Sequence, residues 1–417
     1  MAANTRVALQ PDHRVHTDAA LRRRAQSVIP GGMYGHLNAL SLPRGYPQFF
    51  ERAQGCRVWD ADGREYIDFM CSWGPVIAGH RHPLIDEAAH RQALQGDCLN
   101  GPTARLVELA ERLVELLPHA DWAMFQKNGT DATTAALTLA RAGTGKRKIL
   151  LCRGAYHGAA PWCTPSVAGV TEEDRAHLIY FSFNDIPSLE QAVHEAGDDF
   201  AAILLPAFRH DLGKPQALPD PAFAQAARAL CDAKGAALVL DEVRAGFRLS
   251  LHGSWEALGV RPDLCAWSKA IANGYALAAV TGNDKFRSAA QRIYITGSFW
   301  MGGVAMAAAL ATLDVLEQNQ AVEHMESMGM RLRAGLAQQA VRHGVAITQT
   351  GPAQMPLILF DDDADFSKGS VFTSETIRQG VYLHPRHNMF LCLAHTEQDI
   401  DHALQVTDHA FGVVARQ

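Results

Sequence analysis

From about residue 123 the chain changes its pattern: short, unbroken apolar runs alternate with amphipathic stretches. The runs fall at 148–152, 201–205, 236–240 and 264–267. An apolar run without alternation suits a strand buried on both faces, so this region predicts a mostly parallel sheet flanked by helices, an α/β fold. Upstream, residues 17–27 read as a helix ending at Pro30-Gly31-Gly32. Segments 56–60 and 66–69 flank Asp62-Gly63, a hairpin signal, and 103–117 carry leucines at helical spacing. Downstream come an alanine-rich helix over 302–316, a helix from about 321, strands at 354–360, 380–384 and 390–393, and a last helix from Glu397. The pattern predicts a large domain over 76–320 and a smaller α+β domain over 321–417, with residues 1–75 contributing to the small one. There are no internal repeats.

Composition adds exclusions. At 417 residues, with 48% hydrophobic and 20% charged positions, the chain has the size and balance of a two-domain globular protein. A net charge of −6 and a pI near 6.3 leave no electrostatic footprint for nucleic acid or an anionic membrane. Arg22-Arg23-Arg24 reads as a solvated helix face. The N-terminus lacks the apolar core of a signal peptide, its first ten or so residues read as disordered, and no segment approaches the roughly 18–20 apolar residues of a membrane span. Eight cysteines without a C-x-x-C suggest neither a zinc site nor a disulfide framework, so a reducing cytoplasm is the expected home.

Four places carry candidate chemistry. The run 236–240 ends in Asp241, an acid at the carboxyl end of a buried strand, the edge where ligands bind in open α/β sheets. A cation such as a protonated pyridine nitrogen would offset its desolvation; a structural ion pair or helix cap is the alternative. The run 264–267 ends in Ser268-Lys269. Lys269 is either an amine nucleophile at the same edge or a surface lysine with a buried stem. The two lie 28 residues apart, on consecutive strand ends one crossover apart, and this favours a shared crevice.

Asn128-Gly129-Thr130-Asp131 opens an alanine-rich helix, a start that binds phosphate through backbone amides or is simply capped. In Gly154-Ala155-Tyr156-His157-Gly158, just past a strand, the tyrosine either stacks on a flat ring or packs a turn. Gly143-Thr144-Gly145-Lys146 lacks the upstream glycine and the Ser/Thr of a Walker loop. His80 and His82 have no evident third ligand, so no metal site is expected.

In this order the segments resemble class III, fold type I pyridoxal 5′-phosphate (PLP)-dependent aminotransferases, and within them the glutamate-1-semialdehyde 2,1-aminomutase subgroup. The resemblance runs collinearly from about 20 to 410: IPGG at 29–32, VWDADGREYIDF at 58–69, WGPVIAGHRHP at 73–83, NGTDA at 128–132, GAYHG at 154–158, DEVRAGFR at 241–248, PDLCAWSK at 262–269, TGS at 296–298 and AHTEQDID at 394–401. It implies Lys269 as the Schiff-base lysine and Asp241 on the pyridine nitrogen, with Val243 and Tyr156 on the two ring faces. Asn128, Gly129 and Thr130 would bind the phosphate, with His157 beside them. Ser298 would reach the phosphate of a neighbouring subunit, which implies a homodimer with active sites at its interface. Trp73 would line the substrate side.

The sequence also departs from the subgroup. Asn38 stands where an arginine would hold the substrate carboxylate. The segment 385–390 (Pro-Arg-His-Asn-Met-Phe) is short and lacks the subgroup's acid, and Leu205-Pro206, followed by His210, replaces a Glu-Pro. An intact cofactor set with an altered substrate set predicts an aminotransferase passing an amino group from an amino-acid donor to a ketone or aldehyde, in biosynthetic or secondary metabolism. An aminomutase with a changed substrate, a PLP-dependent racemase and a non-catalytic protein of the PLP fold are the alternatives.

Overall fold

The computed structural model describes residues 16–38, 40, 42–43 and 45–417; the disorder expected for the first ten residues lies outside them. Its centre is a seven-stranded sheet: β1 (Trp122–Gln126), β2 (Lys148–Cys152), β3 (Leu178–Phe181), β4 (Phe200–Pro206), β5 (Ala237–Asp241), β6 (Leu264–Trp267) and β7 (Ala278–Gly282). The spatial order is β1-β7-β6-β5-β4-β2-β3. Pairs from β3 through β6 are parallel, and β7 runs antiparallel to both neighbours. All strands except β7 therefore end at one edge.

Every residue of β4, β5, β6 and β7 is buried, and this is why their sequences are apolar without alternation. The period-2 geometry nonetheless sorts them. Leu238, Leu240, Cys265 and Trp267 join one apolar cluster, while Ala237, Val239, Leu264 and Ala266 join another on the opposite face. Helix Gly129–Thr144 lays Ala132, Ala135, Ala136 and Ala140 against the second face. Its small side chains let it sit close to the sheet, and so its N-terminus lies close to the edge where the strands end.

A second sheet joins the two ends of the chain. Phe50–Gln54, Arg57–Asp60 and Glu65–Asp68 form an antiparallel meander, and Val381–Tyr382 adds in parallel to its last strand. The expected Asp62-Gly63 turn is present: Gly63 takes φ 83°, and Asp60 Oδ1 accepts from the amides of Asp62 and Arg64, both at 2.9 Å.

The tail differs from expectation in its strands. Ile347–Thr350 pairs with Leu357–Phe360, and 390–393 is no strand. The amides of Met389, Phe390, Leu391 and Leu393 donate to Pro356, Phe69, Gln354 and Ile77 in turn. An apolar segment that spreads its donors over separate partners is buried as a wedge rather than laddered. Among the described residues, no helix is long and apolar enough to cross a membrane, and no cluster of metal-ligating side chains occurs. His80 is engaged by Asp68 at 2.9 Å.

Candidate active site

Where β5 runs out, Asp241 turns a carboxylate into an otherwise apolar edge. It is 7% exposed, a costly place for a charge unless its oxygens are held. Oδ2 lies 2.6 Å from His157 Nδ1, and Oδ1 accepts from the Val243 amide at 3.0 Å. The far ring nitrogen of His157, Nε2, is buried with no protein partner.

On the neighbouring strand end, Lys269 opens a 3-10 turn, Lys269–Ala272, with φ 51°, a left-handed conformation that a non-glycine residue adopts at a cost of about 1–2 kcal/mol. Ser268 anchors the turn by donating to the Leu277 carbonyl at 3.0 Å. Gly74 is needed opposite: a Cβ there would meet Phe390 at 3.0 Å and the Lys269 side chain at 3.6 Å. Burial first, then the charge of Arg244, push the Lys269 ammonium down to about 7 against the pull of Asp241. The amine is therefore substantially neutral near neutral pH.

Both groups open into one cavity of about 290 Å³, which Asn128, Gly129, Thr130, Tyr156, His157, Val243 and His210 also line. Nine of the twelve residues singled out from the sequence thus come together. Asn128 caps its helix through Oδ1, which accepts from Asp131 N at 3.0 Å. The amides of Gly129 and Thr130, in the first helical turn, have no intrahelical acceptor. Bulk is excluded here: a Cβ on Gly129 would lie 2.7 Å from Val243, and one on Gly158 (φ +129°) would lie 2.4 Å from Thr130 Oγ1. A flat ligand with an anionic phosphate, a ring nitrogen and a carbonyl matches this set, with amides for the phosphate, a carboxylate for the nitrogen and an amine for the carbonyl. The residues fit PLP.

The other three are not cavity-lining. Asn38 turns its Oδ1 to the amide of Leu40 at 2.9 Å, serving its own loop. Ser298 is exposed. Trp73 instead organises an adjoining wall, in a turn where Cys71, Ser72 and Trp73 take φ 46°, 55° and 67° in succession. Asp68 Oδ1 pins that strained turn by accepting from the amides of Met70 and Cys71 at 2.8 and 3.0 Å. Three imidazoles meet the indole edge-on: His387 at 4.9 Å, His36 at 5.0 Å and His384 at 5.4 Å. Burial pushes His384 down to about 4 and His387 well below the usual histidine range, so both are neutral at pH 7. The Lys269 charge lowers both His36 and His387, and so these two imidazoles lie within its electrostatic reach.

Reading the sequence alone missed Arg244, which lines the cavity, and the meeting of the three histidines on Trp73. Arg244 stood next to Val243 inside a segment already matched. His387 lay in the altered 385–390 segment with His384 just before it, but nothing in the spacing joins that loop to His36 or Trp73.

The family profile "Aminotransferase class-III" matches residues 42–411. The chain is a class III aminotransferase. It is 50% identical to the aminopentol aminotransferase of Sphingopyxis macrogoltabida over 95% of this chain and 94% of that protein. It is 34% identical to the glutamate-1-semialdehyde 2,1-aminomutase of Desulforamulus reducens, over 94% and 97%. Among solved structures, the FumI protein of Sphingopyxis sp. MTA144, in its PLP internal aldimine form, superposes with a TM-score of 0.95 at 50% identity, covering 96% of each chain. The fold is fold type I, and the cofactor of this aminotransferase is PLP.

Proposed function

We propose that this aminotransferase passes an amino group between an amino acid or oxo acid and a second partner that is an amine, ketone or aldehyde, with Lys269 as the reacting amine. The observation that carries the reading is the pairing of a half-buried Lys269, its ammonium pushed down to about 7, with a buried, doubly held Asp241 in one cavity. The 50% identity to an aminopentol aminotransferase supports an amino alcohol, or the matching carbonyl compound, as the second partner.

Bound PLP supplies the electron-withdrawing ring that spreads the charge left when a proton leaves the carbon bearing nitrogen. Asp241 would keep the ring nitrogen protonated, with His157 Nδ1 holding the carboxylate in place. Gly129 and Thr130 would bind the phosphate through the helix-start amides, with Asn128 capping that helix, and Val243 and Tyr156 would flank the ring. Lys269 Nζ would take the proton from the substrate carbon as a base and give it up again as an acid. Trp73 and His210 shape the substrate side.

A homodimer completes the reading: Ser298 lies between exposed apolar side chains, Tyr294 (91% exposed) and Phe299 (67%), a surface suited to a second copy. Residues 321–417 form the smaller domain beside 76–320, and the described residues before 76 contribute to it. The eight free cysteines agree with a cytoplasmic setting.

The test is a single half-reaction. Wild-type holoenzyme given a saturating amino donor alone should release one keto product per site. Lys269→Ala should lower that rate by about 10⁴-fold or more and abolish the visible absorbance of lysine-bound cofactor. An unchanged spectrum in that variant overturns the assignment.

A further inference from the structure

Two arginines, four residues apart on the segment after β5, have opposite surroundings. Arg248 is fully buried and committed to the protein: its two terminal nitrogens donate to the carbonyls of Leu391, of Gly74 at 2.9 Å and of Val76 at 3.3 Å, while its Nε has no partner. Arg244 lines the cavity beside Lys269, and its one hydrogen bond goes to a neutral amide, from Nη1 to Asn388 Oδ1 at 3.0 Å. Among the described residues, it forms no ion pair. Asn388 is itself buried and oriented, since its Nδ2 donates to the Met389 carbonyl at 2.7 Å.

The charges around Arg244 are unbalanced. Desolvation outweighs the pull of Asp241, Tyr156 and Asp211 and brings the guanidinium down to about 10. The imidazoles facing it, His210 and His387, are held neutral. Apart from the reacting Lys269, Arg244 is the cation among the described lining residues. A guanidinium presents several donors in a plane that matches a carboxylate fork, and replacing an amide acceptor by a carboxylate strengthens the bond. The sequence had no cation at Asn38, and Asn38 is turned to its own loop.

We infer that Arg244 recognises the carboxylate of the amino-acid or oxo-acid partner, taking it in exchange for Asn388, while partners without a carboxylate react with Arg244 left on Asn388. The inference rests on the reading that Lys269 is the reacting amine of this cavity. It makes Arg244, reaching in from the sheet edge, the residue that separates the two classes of partner sharing one site.

The experiment compares wild-type, Arg244→Gln and Arg244→Lys holoenzymes. Propionate, an unreactive carboxylate, is titrated by calorimetry, and half-reactions are followed with L-alanine and with ethylamine, which lacks only the carboxylate. R244Q should weaken propionate binding by about 30-fold, the scale of a charge-assisted hydrogen bond. It should slow the L-alanine half-reaction about 30-fold more than the ethylamine half-reaction, so that any effect through Lys269, which both amines share, cancels in the ratio. R244K, which keeps the charge and loses the fork, should fall between the two. Unchanged propionate binding in R244Q, or an equal loss with both amines, overturns the inference. The titration involves no turnover, so tight propionate binding in a wild type that releases no carbonyl product from either amine would overturn the Lys269 reading and leave the role of Arg244 standing.

Discussion

The floor of the cavity and the wall beside it are built in different ways. Asp241 and Lys269 end adjacent parallel strands, and His157 and Gly129 follow the ends of two more, so one sheet fixes all four. The wall is assembled from loops: His36 near the N-terminus, Trp73 in a strained turn, and His384 and His387 near the C-terminus. Asp241 in the floor is tightly partnered, with both of its oxygens held. Arg244, where floor meets wall, has one neutral partner. The floor is specified by the sheet and holds the residues proposed for the chemistry; the wall is set by loop packing, and partner choice is proposed to reside there.

That contrast is broken most severely by changes in the floor. Asp241→Asn removes the acid proposed to face the ring nitrogen and takes a carboxylate oxygen away from His157 Nδ1. The kcat should fall by two to three orders of magnitude, the kinetic equivalent of about 3–4 kcal/mol for a broken buried pair. A fall of less than tenfold, measured on fully loaded enzyme, would place Asp241 outside the chemistry.

A second prediction links floor and wall through charge. A lysine pushed from 10.5 down to about 7 is protonated below that pH and neutral above it. Attachment of PLP to the cofactor-free protein should therefore speed up as pH rises through about 7 and level off above it. Arg244→Gln removes a neighbouring positive charge that holds the value down, so the midpoint should move upward. A wild-type midpoint near 10 in stopped-flow reconstitution would contradict the buried setting of Lys269.

The smallest effect is expected from the wall alone. Trp73→Ala loses three edge-on ring contacts, about 1 kcal/mol where substrate is held. It should change the ratio of kcat/KM between two partners by about fivefold and leave the cofactor absorbance as it was. A spectral change in W73A would mean that the indole supports the floor, and the distinction drawn above would fail.

How far the site could be read from sequence follows the same division. The strands at 148–152 and 264–267 were readable to the residue, because burial on both faces leaves an unbroken apolar run. Strand ends then located Asp241 and Lys269, and a capped alanine-rich helix located Gly129. The segment 390–393 misled for the same reason: an apolar run reports burial but not which partner receives the backbone donors. Trp73 was legible as a matched residue but not as the hub of three imidazoles. Asn38 looked like a substrate contact by position, and it serves its own turn.

What the sequence determined by itself was the α/β layering, the family, and the pair Lys269 and Asp241, since all of these leave local or collinear marks. Only the tertiary structure decided that Arg248 is tied to three backbone carbonyls while Arg244 lines the Lys269 cavity with a single neutral partner, and that three distant segments meet in one wall. The physical reason is that periodicity records which residues are buried. Which charge is compensated, and by what, depends on contacts between segments that have no fixed spacing along the chain.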